Sequence, residues 1–280
     1  MYTLPDFQLL SLVEAALRED IRSGDVTTNA LIPSGLRGSA AMNYRAAGVV
    51  CGLALARLAF HALDPAAEIR ELVPDGSTVE VGTTVLSFSG QAAALLTAER
   101  VALNFAQRLS GIATLTAAYV AAVAGTGAKI VDTRKTTPGL RLLEKYAVRC
   151  GGGVNHRFAL DDLILIKDNH IALCGGVGPA VSRAREGLSH AVRIQVECDT
   201  LAQVREAVEA RADILLLDNM PPEVLREAVR IIGGAALSEA SGGVNLTSVR
   251  AIAESGVDII SVGALTHGAR SLDIGLDVTL

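Results

Sequence analysis

Lys129 to Ile171 concentrates the side chains of this chain best suited to chemistry: Arg134, Lys135, His156, Arg157 and Lys167. Two short apolar runs carry most of them. Lys129 to Thr133 leads into Arg134-Lys135, and Leu163 to Lys167 leads into Asp168-Asn169-His170. Runs of this kind read as strands covered on both faces, with their last residues pointing into a cleft. Two such ends bring three or four cations together. Like charges repel, so the cluster is most stable around an anion. The chain has a net charge of -5, so a basic composition is not the source of the cluster. The competing view is a solvated charged face, but solvated charges rarely fall at the ends of apolar runs.

Such residues need a scaffold that holds strand ends side by side. From Lys129 onward apolar strands recur at 129–133, 163–167, 193–198, 214–218, 235–240 and 259–263. Helical stretches lie between most of them, clearest at Leu201 to Arg211 and Pro221 to Ile231. Repeated strand–helix units make a parallel sheet, and six of them predict a barrel or near-barrel. In a parallel barrel the working groups sit at the C-terminal strand ends. Those ends read Thr133-Arg134-Lys135, Lys167-Asp168, Glu197, Asp218-Asn219, Ser241-Gly242-Gly243 and Val262-Gly263-Ala264.

The last two ends point to phosphate. Glycine lets backbone N–H groups approach a phosphate closely, and a following helix adds its positive end. Both turns are expected to precede helices, and barrels often bind phosphate after their last strands. Glu197 and Asp218 end the two middle strands. They suit ribose hydroxyls, Mg²⁺ or both, or a salt bridge to the nearby cations. The site thus has a phosphate end, a carboxylate middle and a cationic end, which fits a phosphorylated sugar and an anionic second substrate. No P-loop pattern is present.

The first third mixes helices and strands without regular alternation, which predicts an α+β lobe. Asp6 to Ile21 has apolar residues at helical spacing and stops at Ser23-Gly24-Asp25. Gly38 to Val50 and Ser77 to Ser89 read as strands, and Leu53 to Leu63 between them as a helix. Thr97 is expected to cap the next helix, with Glu99 in its first turn. Leu109 to Ala128 is uncharged and long enough to span a bilayer. It is built from Ala, Gly and Thr, and reads as a buried helix.

Composition excludes several classes. Hydrophobic residues make up 50% but aromatics only 3%, with no Trp, so few rings are available to stack on bases. With the acidic balance, this argues against a nucleic-acid partner. Cys51, Cys150, Cys174 and Cys198 show no metal-ligand spacing and read as thiols of a reducing compartment. The start, MYTLPDFQLL, lacks a basic region followed by an apolar core, so no secretory leader is expected.

Three segments, DTRKTTPGLRLLEKYAV, GGGVNHR and LIKDNHI, in this order and spacing, closely resemble the quinolinate phosphoribosyltransferase family. TAERVALNFAQRLSGIAT before them also matches, and the likeness covers nearly all of the chain. The resemblance implies an incomplete parallel α/β barrel of seven strands with an N-terminal α+β sandwich lobe. It assigns residues 1–112 to the lobe, joined by a returning tail at 269–280, and 113–268 to the catalytic barrel. The family transfers phosphoribose from 5-phosphoribosyl-1-pyrophosphate to the ring nitrogen of quinolinate, and loss of CO₂ then gives nicotinate mononucleotide for NAD synthesis.

Carried onto this chain, the resemblance has Arg134, His156, Arg157 and Lys167 gripping the quinolinate carboxylates, with Thr133 alongside. Arg100 would enter from the partner of a homodimer. Lys135 would bind pyrophosphate, and Glu197 and Asp218 the ribose and Mg²⁺. Ser241, Gly242 and Gly243, with Val262, Gly263 and Ala264, would hold the 5′-phosphate. Lys135, Lys167, Glu197 and Asp218 would carry the catalytic roles, in a cytoplasmic enzyme with no membrane partner. Phe158-Ala159 and His267-Gly268 depart from the family pattern beside the site. Three alternatives stand beside this: a paralogue tied to molybdate transport, a Schiff-base lyase using Lys167, and a non-catalytic anion binder.

Overall fold

The computed structural model describes residues 4–187, 189 and 191–279 of the 280. The chain divides into two compact units. Met1–Leu115, Leu142–Gly152 and Ala269–Leu280 form one, and Thr116–Arg141 with Gly153–Gly268 the other. The ends of the expected lobe, residues 1–3 and 280, lie outside the described residues.

The first unit begins with α1 (Asp6–Ile21), which buries Leu9, Val13 and Leu17 along one stripe. Asp25 then caps a further short helix, α2 (Val26–Leu31), accepting from Thr28 N at 2.9 Å. Six residues are too few to show a helical period, so this helix was not anticipated. There follow β1 (Arg37–Tyr44), β2 (Gly48–Val49), α3 (Leu53–Leu63), β3 (Glu68–Glu71), β4 (Thr78–Val79), β5 (Thr84–Gln91) and α4 (Ala92–Ala122). The two long expected strands are each broken by a turn, into β1 with β2 and β4 with β5. The turn in the second closes through Thr83 N donating to Glu80 O. β3 escaped notice because Glu68, Arg70 and Glu71 make it polar, as suits a strand at a sheet edge.

The expected helix start at Thr97 is a correction. α4 begins at Ala92, directly after β5, where the buried Asp64 accepts from Gln91 N at 2.8 Å. Thr97 lies inside the helix and its hydroxyl donates to Asp25 Oδ2 at 3.1 Å. Leu109 to Ala122 belongs to α4, and among the described residues no helix is long and apolar enough to cross a membrane.

In the second unit β6 (Lys129–Val131) opens the parallel sheet. α5 (Arg141–Cys150), whose residues from Leu142 belong to the first unit, follows in the chain. Next come β7 (Ile164–Ile166), α6 (Asp168–Cys174), α7 (Val177–Glu186), β8 (Ile194–Cys198), α8 (Leu201–Glu209), β9 (Ile214–Asp218) and α9 (Pro222–Ile232). β10 (Leu237–Ser241), α10 (Val249–Ala253), β11 (Ile259–Ser261) and α11 (Ala264–His267) complete it. The strands lie in the order β6-β11-β10-β9-β8-β7, all parallel, with each helix returning the chain to the next strand. The expected seventh strand is reduced to one residue. Val154 bridges Val131 in parallel, donating to Ile130 O and accepting from Asp132 N. No strand pairing joins Val154 to β7 among the described residues, so the barrel stays open along that seam.

The tail returns to the first unit as β12 (Ile274–Thr279), antiparallel to β1 and completing the sheet order β12-β1-β5-β3. It crosses α4 at Gly111, where any Cβ would lie 2.0 Å from Arg270 O. Arg108 Nη1 also donates to Ala269 O at 2.7 Å.

Candidate active site

The cationic wall is built on β6 and the open seam. Just past β6, Asp132 is fully buried. Its Oδ1 accepts from His156 N at 2.9 Å and its Oδ2 from Asn155 Nδ2 at 2.6 Å. One carboxylate therefore ties the seam segment to the end of β6, and so sets Arg134 and Arg157 near one another. Burial, and next the neighbouring Arg134 guanidinium, hold the Arg157 pKa below its ordinary value. Arg157 Nη1 donates to Leu163 O at 3.3 Å. Arg134 Nε is buried and has no hydrogen-bond partner. A buried guanidinium donor beside a second guanidinium is costly unless an anion meets both.

The two ring nitrogens of His156 face different groups. Nδ1 accepts from Arg157 N at 2.7 Å, and Nε2 lies 3.3 Å from Glu239 Oε1, close but off the line of a good hydrogen bond. Glu239 is buried on β10 and accepts from Gln195 Nε2 of β8 at 2.8 Å.

Lys167, the residue after β7, places Nζ 2.5 Å from Glu197 Oε2 on β8. Lys135 reaches the other side of the barrel mouth. Its backbone oxygen accepts from Thr266 Oγ1 of α11 at 2.7 Å, and its side chain lies over Gly263, where an added Cβ would come within 3.2 Å of it. Val262 N donates to Val131 O, so the glycine turn after β11 sits beside the end of β6.

Asp218 ends β9 and accepts from Asn219 Nδ2 at 2.6 Å. Asn219 N in turn donates to Ser241 O at 2.8 Å. A Cβ on Gly242 would lie 2.1 Å from Asn219 Oδ1, and Gly242 has φ 92°. Only glycine fits there. One expectation needs correction. Ser241-Gly242-Gly243 does not run into a helix, because α10 starts only at Val249. The residues between are occupied by a turn in which Asn245 accepts from Thr247 N and Ser248 N. Any anion affinity of this turn comes from its own backbone N–H groups.

Arg134, Lys135, His156, Arg157, Lys167, Glu197, Asp218, Ser241 to Gly243 and Val262 to Ala264 thus all lie in the second unit, at or just past parallel strand ends or on the seam. Thr133 lies with them beyond β6. Arg100 lies in the first unit, exposed on α4. Asp132, Gln195 and Glu239 carry no site role in the sequence reading, and Asn219 enters it only as part of the Asp218-Asn219 strand end.

Comparison with known proteins fits this geometry. Residues 25–110 match the model for the quinolinate phosphoribosyl transferase N-terminal domain and residues 112–277 that for its C-terminal domain. The chain belongs to the quinolinate phosphoribosyltransferase family. Among quinolinate phosphoribosyltransferase relatives, it is 45% identical over 273 residues to the probable nicotinate-nucleotide pyrophosphorylase [carboxylating] of Bacillus subtilis, covering 98% of this chain and 94% of that one. The crystal structure of NadC from Streptococcus pyogenes superposes with a TM-score of 0.97 at 42% identity, over 100% of this chain and 99% of that one. The nicotinate-nucleotide pyrophosphorylase from Francisella tularensis gives 0.95 at 39%, over 99% and 98%. These agreements show the quinolinate phosphoribosyltransferase fold throughout both units.

Proposed function

We propose that the Arg134, Arg157 and Lys167 wall grips the two carboxylates of quinolinate, while the turns after β10 and β11 seat the 5′-phosphate of the sugar donor. The chain is a decarboxylating quinolinate phosphoribosyltransferase of NAD biosynthesis. It joins the ring nitrogen of quinolinate to the anomeric carbon of 5-phosphoribosyl-1-pyrophosphate. Pyrophosphate leaves with the electron pair of the broken C–O bond. The C2 carboxylate then departs as CO₂, a proton takes its place, and nicotinate mononucleotide remains.

The observation that carries the substrate reading is the pairing of Arg134 with Arg157, with Arg134 Nε buried and unpartnered. A planar diacid can offer a carboxylate to each of two guanidiniums by bidentate contact. Quinolinate nitrogen is a weak nucleophile, so clamping both its carboxylates supplies the alignment the first step needs. Lys135, beside Gly263, is placed to meet the growing charge on pyrophosphate. The carboxylates of Glu197 and Asp218 suit the ribose hydroxyls.

The same two carboxylates are the residues that would hold Mg²⁺. Glu197 is already neutralised by Lys167, while Asp218 keeps an oxygen beyond its bond to Asn219. This donor set fits an ion that arrives mainly on the phosphates of the donor, as Mg²⁺ commonly does. When bound, the ion supplies charge neutralisation to the leaving pyrophosphate.

We further propose a homodimer in which Arg100 reaches the neighbouring subunit's quinolinate. Its exposure on α4, with no hydrogen bond or ion pair to it among the described residues, supports this role. The free cysteines support a reducing, cytoplasmic setting.

The deciding experiment is release of CO₂ from carboxyl-labelled quinolinate with and without 5-phosphoribosyl-1-pyrophosphate. Release that depends strictly on the donor is expected. No release with the donor present, or equal release without it, refutes the assignment.

A further inference from the structure

Beneath the strand ends lies a second polar layer that the transfer chemistry above does not use. Gln195 shares a strand face with Glu197, and Glu239 shares one with Ser241, because side chains alternate along a strand. Both Gln195 and Glu239 are essentially inaccessible to solvent. Both occupy buried positions of their strands, where an aliphatic residue would serve stability better than a polar one. Gln195 Nε2 donates to Glu239 Oε2 at 2.8 Å, and Glu239 Oε1 faces His156 Nε2 at 3.3 Å. On the far side of the same ring, Nδ1 takes the Arg157 backbone N–H at 2.7 Å. Asp132 takes the His156 backbone N–H.

Resting on the quinolinate reading of the wall, we infer that Glu239 is a positioning residue for it. A ring that accepts at Nδ1 must carry its proton at Nε2, and the Glu239 carboxylate, 3.3 Å away, is the negative group facing that proton. The Arg157 N–H sets the tautomer, and attraction of the facing carboxylate for Nε2–H holds the ring plane, as carboxylates behind histidines do at metal sites. The His156 ring then holds the Arg157 peptide, and with it the place where the Arg157 guanidinium leaves the chain. Gln195 keeps the Glu239 carboxylate turned toward His156. Glu239 acts on quinolinate through His156 and Arg157, without touching it.

Three measurements test this on the full chain. Glu239→Leu fills the same space without an acceptor. It should raise KM for quinolinate by about tenfold or more, with KM for 5-phosphoribosyl-1-pyrophosphate changed less than about twofold. Glu239→Gln, which still offers an oxygen to Nε2, should restore most of the loss. In a His156→Asn background, adding Glu239→Leu should cost nothing further, since the two share one route.

Should Glu239→Leu not fold, nitrogen-15 spectra of the wild-type chain still decide the matter. The signal lost in His156→Asn, among five histidines, should report the Nε2-protonated neutral ring. A proton on Nδ1, an equal rise in both KM values, or an undiminished Glu239→Leu effect in the His156→Asn background each overturns the inference. The spectrum reports the ring tautomer that the Glu239–His156 contact requires, whether or not quinolinate is the substrate. Failure of the substrate reading would instead appear as absent CO₂ release from the wild-type chain.

Discussion

Lys167 Nζ lies 2.5 Å from Glu197 Oε2, joining the ends of two neighbouring parallel strands. A cation suited to quinolinate and a carboxylate suited to ribose therefore hold each other in place. The Glu197 side chain is only 14% exposed, so removing Lys167 leaves it mostly buried and unpaired. Lys167→Ala and Arg134→Ala should each lower the rate of CO₂ release by on the order of a hundredfold or more, with circular dichroism unchanged. Near-normal steady-state rates in both would remove these residues from the site. The Lys167→Ala, Glu197→Ala double variant should lose little more than the worse single variant.

Gly242 meets Asn219 at a distance no Cβ can share, and its φ lies in the region glycine prefers. Gly242→Ala should raise KM for 5-phosphoribosyl-1-pyrophosphate by about tenfold and cost about 1–3 kcal/mol in denaturant unfolding. KM for quinolinate should move far less. An unchanged donor KM would show that this turn does not hold the phosphate.

Arg100 is tested by mixing defects. In a dimer that exchanges Arg100, a heterodimer of Arg100→Ala and Lys167→Ala subunits contains one intact site of two. Co-expression in equal amounts should therefore recover about a quarter of wild-type activity from two inactive parents. No recovery, in a preparation shown by mass spectrometry to contain heterodimers, would place Arg100 outside the partner's site.

Asp25 predicts a pH dependence. The Thr28 hydroxyl and the Thr28 N–H, then the Thr97 hydroxyl, outweigh burial and hold its pKa below the ordinary 3.8. A depressed carboxylate stabilises the fold above 3.8, and this is lost as pH falls through the lower folded value. Asp25→Ala should cost about 1 kcal/mol at neutral pH as a lost helix cap. Thermal melts should show the gap between variant and wild type constant above pH 5 and narrowing below about pH 4. A gap that widens in acid would reverse the sign.

Elements with a strong period or a clean apolar run were legible from residue order. The sequence pattern places α1 and α3 at their observed ends, and it marks all six strands of the parallel sheet with their polar or glycine ends. What escaped lacked a local signal. α2 is too short to show a period, and Val154 earns its place in the sheet by one tertiary bridge. Thr97 has the chemistry of a cap, yet tertiary contact carries α4 back to Ala92. In the site, Gln195 and Glu239 sit one layer below the strand ends that the apolar runs mark. A signal did exist. IQVEC and LSEAS each place a polar side chain two residues before the strand's own site residue, on the same face.

Because no strand pairing closes the sheet beyond Val154 among the described residues, Asn155, His156 and Arg157 ride on a slit in the cylinder instead of on a staved wall. Ladder hydrogen bonds resist displacement of whole strands, whereas this lip is tied through side chains, among them Asp132 to Asn155 and His156, and Arg157 to Leu163 O. On the proposed reading, the acid would be met by a lip of the rim held by side-chain contacts, and the sugar phosphate by turns that follow laddered strands. Altering which acid enters requires rebuilding a lip, and the barrel beneath it can stay as it is.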